Sequence, residues 1–578
     1  MKSILKYPLV TLLVAGLSAC AIVPDRDQLM TDQAVANAVK PEEAASILPD
    51  MPLDEETLYK LLAAEMAVQR QHFAIATELY TELAVRTRDP RLAEQATRIA
   101  LFTRDDETAL KTSELWVALV PESVAAHEAV ISAYIRNGLT EEVQPHLDFL
   151  LQQGNVDSAR GFQFIAALLQ QEQDLQTALQ IMEEFVARHQ HEAEAYYALS
   201  YVAMHARVLD KSRAAIEKAL ELRPDWYQAM IHYARIMRMQ GNPYEAEIYL
   251  AGVLKKYPRV IDLRLNYARL LVENRQLDEA LEQYKRIVAM RPDDEDSLFV
   301  TAVLAMQLNK LALAESNFKH LLDLGMRIDV ANYYLGEILA VQKQDDKAIM
   351  HFDAVVAGEH LLDARLKSAV LKARHGQVLL AREQLQTLII KFPSSQTKII
   401  QVEGAILEDN GQIDEARAVY DRALKDQPDN VDLLYSRALL AEKQDDLDQV
   451  EADLTKILDI QPENANVLNA LGYTLANRTQ RYQEAYGYVK KALDLDPDNN
   501  AILDSMGWVM YRLGRLDEAT GYLRRSLAIK NDHEVAAHLG EVMWMLGDRD
   551  GAREVWEEAL ETFPDDKIIL DVMKRFIP

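Results

Sequence analysis

Small and bulky apolar residues recur along the chain in a fixed order. A small residue is followed four positions later by a large apolar one, as at Ala246 and Leu250, and the pattern returns every 33 to 35 residues through Ala552 and Trp556, with one valine replacing the small residue. A second small residue lies twelve positions earlier, as Ala234 precedes Ala246. Apolar positions three and four residues apart form one face of an α-helix. Each period therefore predicts two helices that pack against each other.

Prolines mark the end of each predicted helix pair. Pro224, Pro258 and Pro292 are 34 residues apart, and the series continues to Pro564. Proline lacks the backbone N–H and clashes with the preceding turn, so it ends the second helix. The spacing resembles the tetratricopeptide-repeat (TPR) motif, which has small residues at positions 8 and 20, a bulky residue at 24 and proline at 32.

The repeats predict the fold class. We count about 15 helix pairs between residues 54 and 564, followed by a C-terminal capping helix within residues 565–578. One repeat cannot bury its apolar face alone, so its neighbours in the stack must cover it. We therefore expect an all-α TPR superhelical solenoid and not several globular domains. The segment 122–154 departs most from the pattern.

The first twenty residues have the pattern of a bacterial secretory signal. Two lysines precede an apolar run, and Leu17-Ser18-Ala19-Cys20 ends it in a way that resembles the lipobox of bacterial lipoproteins. The resemblance implies a signal peptide over residues 1–19 and lipidation of Cys20. Ala21 then favours the periplasmic face of the outer membrane in a Gram-negative bacterium. The alternative is an uncleaved apolar helix, but the run is shorter than the roughly 20 apolar residues that span a bilayer.

The segment that follows Cys20 predicts a tether. Residues 20–53 are polar and contain four prolines, which interrupt any long helix. Residues 30–39 have apolar side chains at helical spacing, so a short helix could form there against a partner.

Charge and motif content narrow the function. Asp and Glu outnumber Lys and Arg by 91 to 63, a net charge of −28, which disfavours nucleic acid and broad contact with anionic lipids. Cys20 is the one cysteine, so neither a disulfide within the chain nor a cysteine metal site is expected. The sequence has no HExxH, GxSxG, Walker-type or GxGxxG motif. We expect no catalytic site, no metal and no cofactor, and membrane contact through the lipid anchor alone.

The TPR resemblance also implies a binding face. In that family, positions 2, 5, 9 and 12 of the first helix of each pair line the concave side. In the last repeats, aromatic, arginine and amide side chains at or beside these positions suit an extended peptide. The candidates are Asn466, Asn469, Tyr473, Asp504, Trp508, Tyr511, Arg512 and Trp544. The alternative is that the aromatic residues serve packing alone.

A second candidate surface lies nearer the middle of the chain. Arg235 and Arg238 take positions 9 and 12 of one repeat, and several aromatic residues precede them, among them Tyr197, Tyr201 and Trp226. The two guanidinium groups could accept a carboxylate from a chain terminus or an acidic side chain. The alternative is that they pair with local Glu or Asp residues.

Three C-terminal stretches are more specific than a generic TPR. Residues 467–476, 502–514 and 534–541 look like a group of proteobacterial TPR lipoproteins of the LbcA type. This resemblance implies an outer-membrane adaptor that binds and activates a periplasmic serine protease of the carboxyl-terminal processing class. It also implies presentation of substrates such as peptidoglycan hydrolases. The rival hypothesis is a TPR scaffold for an envelope secretion, polysaccharide-export or outer-membrane assembly complex.

Overall fold

Helices account for all the regular structure in the part of the chain that the structure describes. The structure is a computed structural model that describes residues 54–153 and 158–577, and in these ranges it has 31 α-helices, one short 3-10 helix and no β-strand. The α-helices form 15 successive pairs and one last helix, which confirms the all-α TPR fold. The predicted signal peptide, Cys20 and the tether lie outside the described residues.

The described residues divide into two compact units, and the division falls between Asn317 and Phe318. The helices up to this point are α1 (Glu55–Gln69), α2 (Phe73–Thr87), α3 (Pro90–Thr103), α4 (Asp106–Leu119), α5 (Val124–Arg136), α6 (Thr140–Gln153), α7 (Ser158–Leu169), α8 (Leu175–Ala187), α9 (Ala193–His205), α10 (Leu209–Leu222), α11 (Tyr227–Met239), α12 (Pro243–Lys256), α13 (Ile261–Glu273), α14 (Leu277–Met290), α15 (Glu295–Gln307) and α16 (Leu311–Asp323), in which the division lies. We call residues 54–317 the N-terminal unit.

Residues 318–577 form the C-terminal unit. Its further helices are α17 (Ile328–Val341), α18 (Asp345–Ala354), α19 (Leu361–Arg374), α20 (Val378–Lys391), α21 (Gln396–Asp409), α22 (Ile413–Asp426), α23 (Val431–Lys443), α24 (Leu447–Ile460), α25 (Ala465–Arg478), α26 (Tyr482–Leu495), α27 (Asn500–Arg512), α28 (Leu516–Ile529), α29 (His533–Leu546), α30 (Arg549–Thr562) and α31 (Lys567–Phe576). The 3-10 helix is Pro393–Ser395.

Short polar side chains fix where many helices begin. Asn464 accepts a hydrogen bond from the N–H of Val467 at 3.2 Å, and Asp566 caps α31 through the N–H of Ile569 at 3.1 Å. Such side chains satisfy backbone donors that the first turn of a helix leaves unpaired. The irregular segment predicted from the sequence corresponds to α5 and α6, where Pro145 lies inside the second helix.

Small residues are needed where the two helices of a pair cross. A Cβ atom added to Gly336 of α17 would lie 2.6 Å from two ring atoms of Phe352, which belongs to α18. Gly540 faces Trp556 in the same way in the last pair. Since carbon atoms normally approach to about 3.5–4.0 Å, a larger side chain would push the two helices apart. The residues at positions 8 and 24 thus have the packing roles that the sequence predicted.

The last helix covers the C-terminal end of the stack, as predicted. Ile569 and Val572 of α31 are buried in the same apolar core as Trp556. The helix packs against α29 and α30. Lys574 and Arg575 are exposed in its last turn, and Arg575 also donates to Glu541 of α29.

Candidate peptide-binding surfaces

We call the first helix of each pair a first-position helix and the second helix a second-position helix. A buried ion pair joins two first-position helices near the end of the C-terminal unit. Nδ1 of His538 in α29 lies 2.9 Å from Oδ1 of Asp504 in α27, and both residues are buried. Burial lowers and the Asp504 carboxylate raises the pKa of His538, and the net shift is upward. Nδ1 therefore donates to the carboxylate, and this contact favours the protonated ring. The predicted residue Asp504 is thus held by a partner that the sequence analysis did not name.

Trp508 stacks on the same histidine. The ring centroids of Trp508 and His538 are 4.2 Å apart with an interplanar angle of 27°, and Tyr511 lies 5.1 Å from the indole. Trp508 is only 8% exposed, and its Nε1 donor has no hydrogen-bond partner. The indole therefore packs against His538 and Tyr511. Its buried N–H has no acceptor, which costs free energy in the folded state.

Glu541 receives two donors on the next turn of α29. Its carboxylate accepts from the Tyr511 hydroxyl at 3.2 Å and from Nη2 of Arg575 in α31 at 2.7 Å, while Glu541 itself is 5% exposed. Burial, together with the neighbouring Glu541 charge, raises the pKa of Tyr511 to about 12. Tyr511 is thus neutral at physiological pH and acts as a hydrogen-bond donor.

Tyr473 connects helices that are two repeats apart. Its hydroxyl in α25 donates to Oε1 of Glu534 at the start of α29, at 3.2 Å. One turn earlier in α25, the Oδ1 atom of Asn469 is buried without a hydrogen-bond partner. Asn466, another turn back, is exposed. This side of α25 therefore runs from an exposed amide to a buried, unsatisfied one.

The two remaining C-terminal candidates have aromatic neighbours. Nη2 of Arg512 donates to the hydroxyl of Tyr482 at 2.6 Å, and the guanidinium lies 4.8 Å from the centre of that ring. Trp544 is half-buried, with its ring centroid 6.0 Å from those of both Trp556 and Phe576. Arg512 and Trp544 are therefore packed at the margins of the cluster and remain partly accessible.

The structure brings Asp504, Trp508 and Tyr511 together around α29, while Arg512 and Trp544 lie at its edges. The sequence analysis missed His538, Glu534, Tyr482 and Arg575 as partners. His538 could have been suspected from the repeat register, because it lies at position 6, one turn before Glu541. Tyr482 and Arg575 had no such indication, since they lie on a second-position helix and on the last helix.

Part of this arrangement is accessible from outside. The rings of Tyr473, Tyr511 and Trp544 are half-buried, whereas Trp508 Nε1 and Asn469 Oδ1, one donor and one acceptor without a hydrogen-bond partner, are buried. Over residues 54–153 and 158–577 no group of three or more His, Cys, Asp or Glu side chains is placed to hold a metal ion. Across the same ranges, every helix is too short or too polar to traverse a bilayer.

The mid-chain candidates differ from each other. Arg238 of α11 forms an ion pair with Glu273 of α13, the arrangement that the sequence analysis gave as the alternative. Arg235 is half-buried and has neither a hydrogen bond nor an ion pair with any described residue. Arg238 is therefore paired with a carboxylate, whereas Arg235 is not.

Aromatic rings and a buried histidine lie near Arg235. Tyr201 stacks on His232 with centroids 3.9 Å apart, and the Tyr197 ring is 5.5 Å from the same imidazole. Ser200 already donates its hydroxyl to the Ser212 carbonyl, so its Oγ accepts from Nε2 of His232 at 3.0 Å. Nδ1 of His232 has no partner, and burial, followed by the nearby Arg235 charge, lowers the pKa of His232 to about 3. This histidine is therefore neutral in the folded protein.

Comparison with known sequences agrees with the TPR fold. Tetratricopeptide repeat models match residues 165–225, 237–298, 403–465 and 501–532. The TPR repeat-containing protein PA4667 of Pseudomonas aeruginosa is 34% identical over 533 residues, which cover 92% of this chain and 89% of that protein. The human protein O-mannosyl-transferase TMTC3 is 23% identical over 259 residues, covering 44% of this chain and 28% of TMTC3.

Comparison with solved structures gives looser matches. The structure of Naa15/Naa10 bound to HypK-THB aligns with a TM-score of 0.36 at 13% identity, covering 69% of this chain and 68% of that one. Yeast Tom70 aligns with a TM-score of 0.30 at 14% identity, covering 91% and 95%. At these TM-scores the alignments carry no argument about partners.

Proposed function

This chain belongs to the tetratricopeptide-repeat protein family, and from that premise we propose that it is a lipid-anchored adaptor of the bacterial envelope. TPR proteins are scaffolds that bind other proteins. In this proposal the chain is attached through Cys20 to the periplasmic face of the outer membrane. There it binds and activates a serine protease of the carboxyl-terminal processing class, and it presents substrates such as peptidoglycan hydrolases.

The observation that carries the proposal is the cluster around α29. It combines an unused donor, an unused acceptor and half-buried aromatic surfaces on consecutive first-position helices. A partner's side chains could pack on the half-buried rings of Tyr473 and Trp544. Trp508 Nε1 and Asn469 Oδ1 are buried, so a partner's backbone could satisfy them only after displacing the side chains that cover them. Such a surface binds protein without supplying a nucleophile or a base, so the catalytic step belongs to the bound protease.

Tethering supplies the mechanism of activation. Two proteins held on one scaffold meet at an effective concentration of about millimolar, so weak contacts with protease and substrate suffice. The family resemblance of residues 467–476, 502–514 and 534–541 supports a protease as the partner. The acidic net charge of −28 keeps the scaffold away from anionic headgroups, so membrane attachment depends on the lipid.

The adaptor role is tested by reconstitution. The purified chain is mixed with the processing protease and a peptidoglycan hydrolase, and degradation is followed with and without the chain. We expect faster degradation, and a smaller acceleration with Trp508→Phe, which removes the indole donor and keeps an aromatic ring. Trp116→Phe is the matched control, because Trp116 is equally buried but lies on α4 in the N-terminal unit.

Two results would count against the adaptor. One is unchanged degradation in the presence of the chain. The other is capture of export or barrel-assembly subunits from solubilised envelope without any protease, which would favour the assembly scaffold instead.

The anchor is tested separately with Cys20→Ala. This variant should fractionate with soluble periplasmic protein while its helical circular dichroism stays that of the parent, because several acyl chains are needed for stable attachment. Retention of the variant in the outer-membrane fraction would contradict lipidation at Cys20.

A further inference from the structure

Two arginines without a counterion occupy equivalent places in successive repeats. Arg235 of α11 and Arg269 of α13 are 34 residues apart, one repeat period, and both take position 9. Both are half-buried, and neither has a carboxylate oxygen within 4.0 Å among the described residues. The two helices contact each other within the N-terminal unit.

Three other arginines of the same region form ion pairs. Arg213 bonds Glu217, Arg223 bonds Glu194 and Arg238 bonds Glu273. Acidic residues outnumber basic ones by 91 to 63, so carboxylates are plentiful. A partly desolvated guanidinium with no anionic partner is costly, and its cost falls when a carboxylate binds.

The immediate surroundings of both arginines are aromatic. Arg235 lies near Tyr197 and His232, and Arg269 is close enough to the phenol of the buried Tyr284 to hydrogen-bond with it. Neutral rings leave the positive charges unbalanced while shielding them from water. The Arg238–Glu273 ion pair joins α11 to α13 beside them and holds the two helices together.

The distance between the two helices suits one shape of ligand. Helices that pack against each other lie about 8–10 Å apart, so we expect side chains at the same repeat position of α11 and α13 to be separated by about this distance. A polyproline II segment rises about 3.1 Å per residue with three residues per turn, so residues three apart lie on one side, about 9 Å from each other. A β-strand would place such residues on opposite sides.

We propose that Arg235 and Arg269 bind the carboxylates of two acidic side chains, three residues apart, in an extended segment of a partner protein. This site deepens the proposed function, because it rests on the chain being a protein-binding scaffold. It gives the N-terminal unit a binding surface for acidic segments, separate from the cluster around α29.

The test uses fluorescent peptides that are acetylated and amidated, so that they carry no terminal charge. Each is proline-rich and contains two glutamates spaced by two to six residues, and a glutamine version is the neutral control. Fluorescence anisotropy with the full chain should give the tightest binding at a spacing of three. The Arg235→Gln and Arg269→Gln variants should each weaken it about 10-fold, equivalent to about 1.4 kcal/mol.

Arg286→Gln is the matched control for net charge. Arg286 lies on α14, is exposed, and has no carboxylate partner among the residues described. Its replacement should leave peptide affinity within about twofold, and circular dichroism should show equal helical content in all variants. Raising the salt concentration should weaken binding to the parent chain.

Three outcomes would overturn the site. They are equal binding by a double variant that carries both Arg235→Gln and Arg269→Gln, an equal loss in Arg286→Gln, or equal binding of the glutamate peptides and their glutamine version. None of these affects the protease assay with Trp508→Phe. Conversely, a scaffold that fails to accelerate the protease leaves the peptide measurement intact, so the two proposals fail separately.

Discussion

The crossing at Gly336 offers a quantitative test of how closely the helices pack. In Gly336→Ala the new methyl group would lie 2.6 Å from both Cδ1 and Cε1 of Phe352 and 3.0 Å from Cγ. Phe352 is 1% exposed and packs against Leu339, Val355 and Leu361, so the ring has little room to withdraw. Relief of the contact requires α17 and α18 to separate by several tenths of an ångström or more.

The expected energy follows from two opposing effects. Overpacking a core by one methyl group costs about 1–3 kcal/mol, and three ring atoms inside the normal contact distance place Gly336→Ala in the upper part of that range. Alanine favours a helix over glycine by about 1 kcal/mol. The net expectation is a loss of about 1–2 kcal/mol in local stability.

Gly487→Ala separates these two effects. Gly487 lies within α26, and an added Cβ would meet nothing within 4 Å. This variant should keep the propensity gain of about 1 kcal/mol and incur no packing cost. The pair of variants therefore isolates the crossing from the intrinsic effect of removing a glycine.

Hydrogen exchange measured by mass spectrometry is the suitable assay, because long repeat arrays do not unfold in two states. Amides in α17 and α18 should exchange about 10-fold faster in Gly336→Ala, since 1.4 kcal/mol is a factor of ten. Amides in α26 should exchange several-fold more slowly in Gly487→Ala. Slower exchange in both variants would refute the claim that the crossing admits nothing larger than glycine.

Titration and charge removal give three more expectations. Between pH 7 and pH 5 the N-terminal unit should lose about 2 kcal/mol of stability through His232, because its folded pKa of about 3 lies below the unfolded value of 6.5 and the unfolded chain takes up the proton. Hydrogen exchange in α11, corrected for the intrinsic rate, should quicken over this pH range, and it should quicken less in His232→Phe. The pKa of His538 is raised in the folded state, so its contribution to the free energy of unfolding is present below pH 6.5 and is lost as pH rises through that raised pKa. Hydrogen exchange in α29, corrected for the intrinsic rate, should therefore quicken from pH 6 to pH 8. This change should be absent in His538→Gln. Arg575→Gln should destabilise α31 by about 1–2 kcal/mol in exchange measurements, because Glu541 keeps only a phenol partner, and adding Glu541→Gln should restore stability.

The fold could be predicted because its determinants lie within one repeat. The residues that pack at a crossing, such as Gly336 and Phe352, are 16 positions apart in sequence, and the same relation recurs in each period. Helix ends depend on a single proline or a single capping side chain. Local and repeated interactions of this kind appear directly in the spacing of residue types.

The binding surfaces were predicted less completely, because their state depends on partners one or more repeats away. Arg235 and Arg238 look alike in sequence, yet only Arg238 reaches a carboxylate, Glu273, 35 residues later. Trp508 was placed on the correct helix, but its burial results from His538, 30 residues beyond it. Side-chain rotamers decide which nearby residues form a pair, and the repeat pattern does not specify the rotamers.

The Tyr473–Glu534 hydrogen bond changes how the C-terminal end should unfold. In an ideal repeat stack each unit interacts only with the next one, so unfolding can stop at any boundary, as in a one-dimensional Ising chain. Tyr473 reaches past α27 to α29, which adds a coupling between second neighbours. Fraying of the repeat at α29 then costs the repeat at α25 a contact. The repeats that begin with α25, α27 and α29 should therefore melt as one cooperative block, and a ligand bound anywhere in that block should stabilise all three.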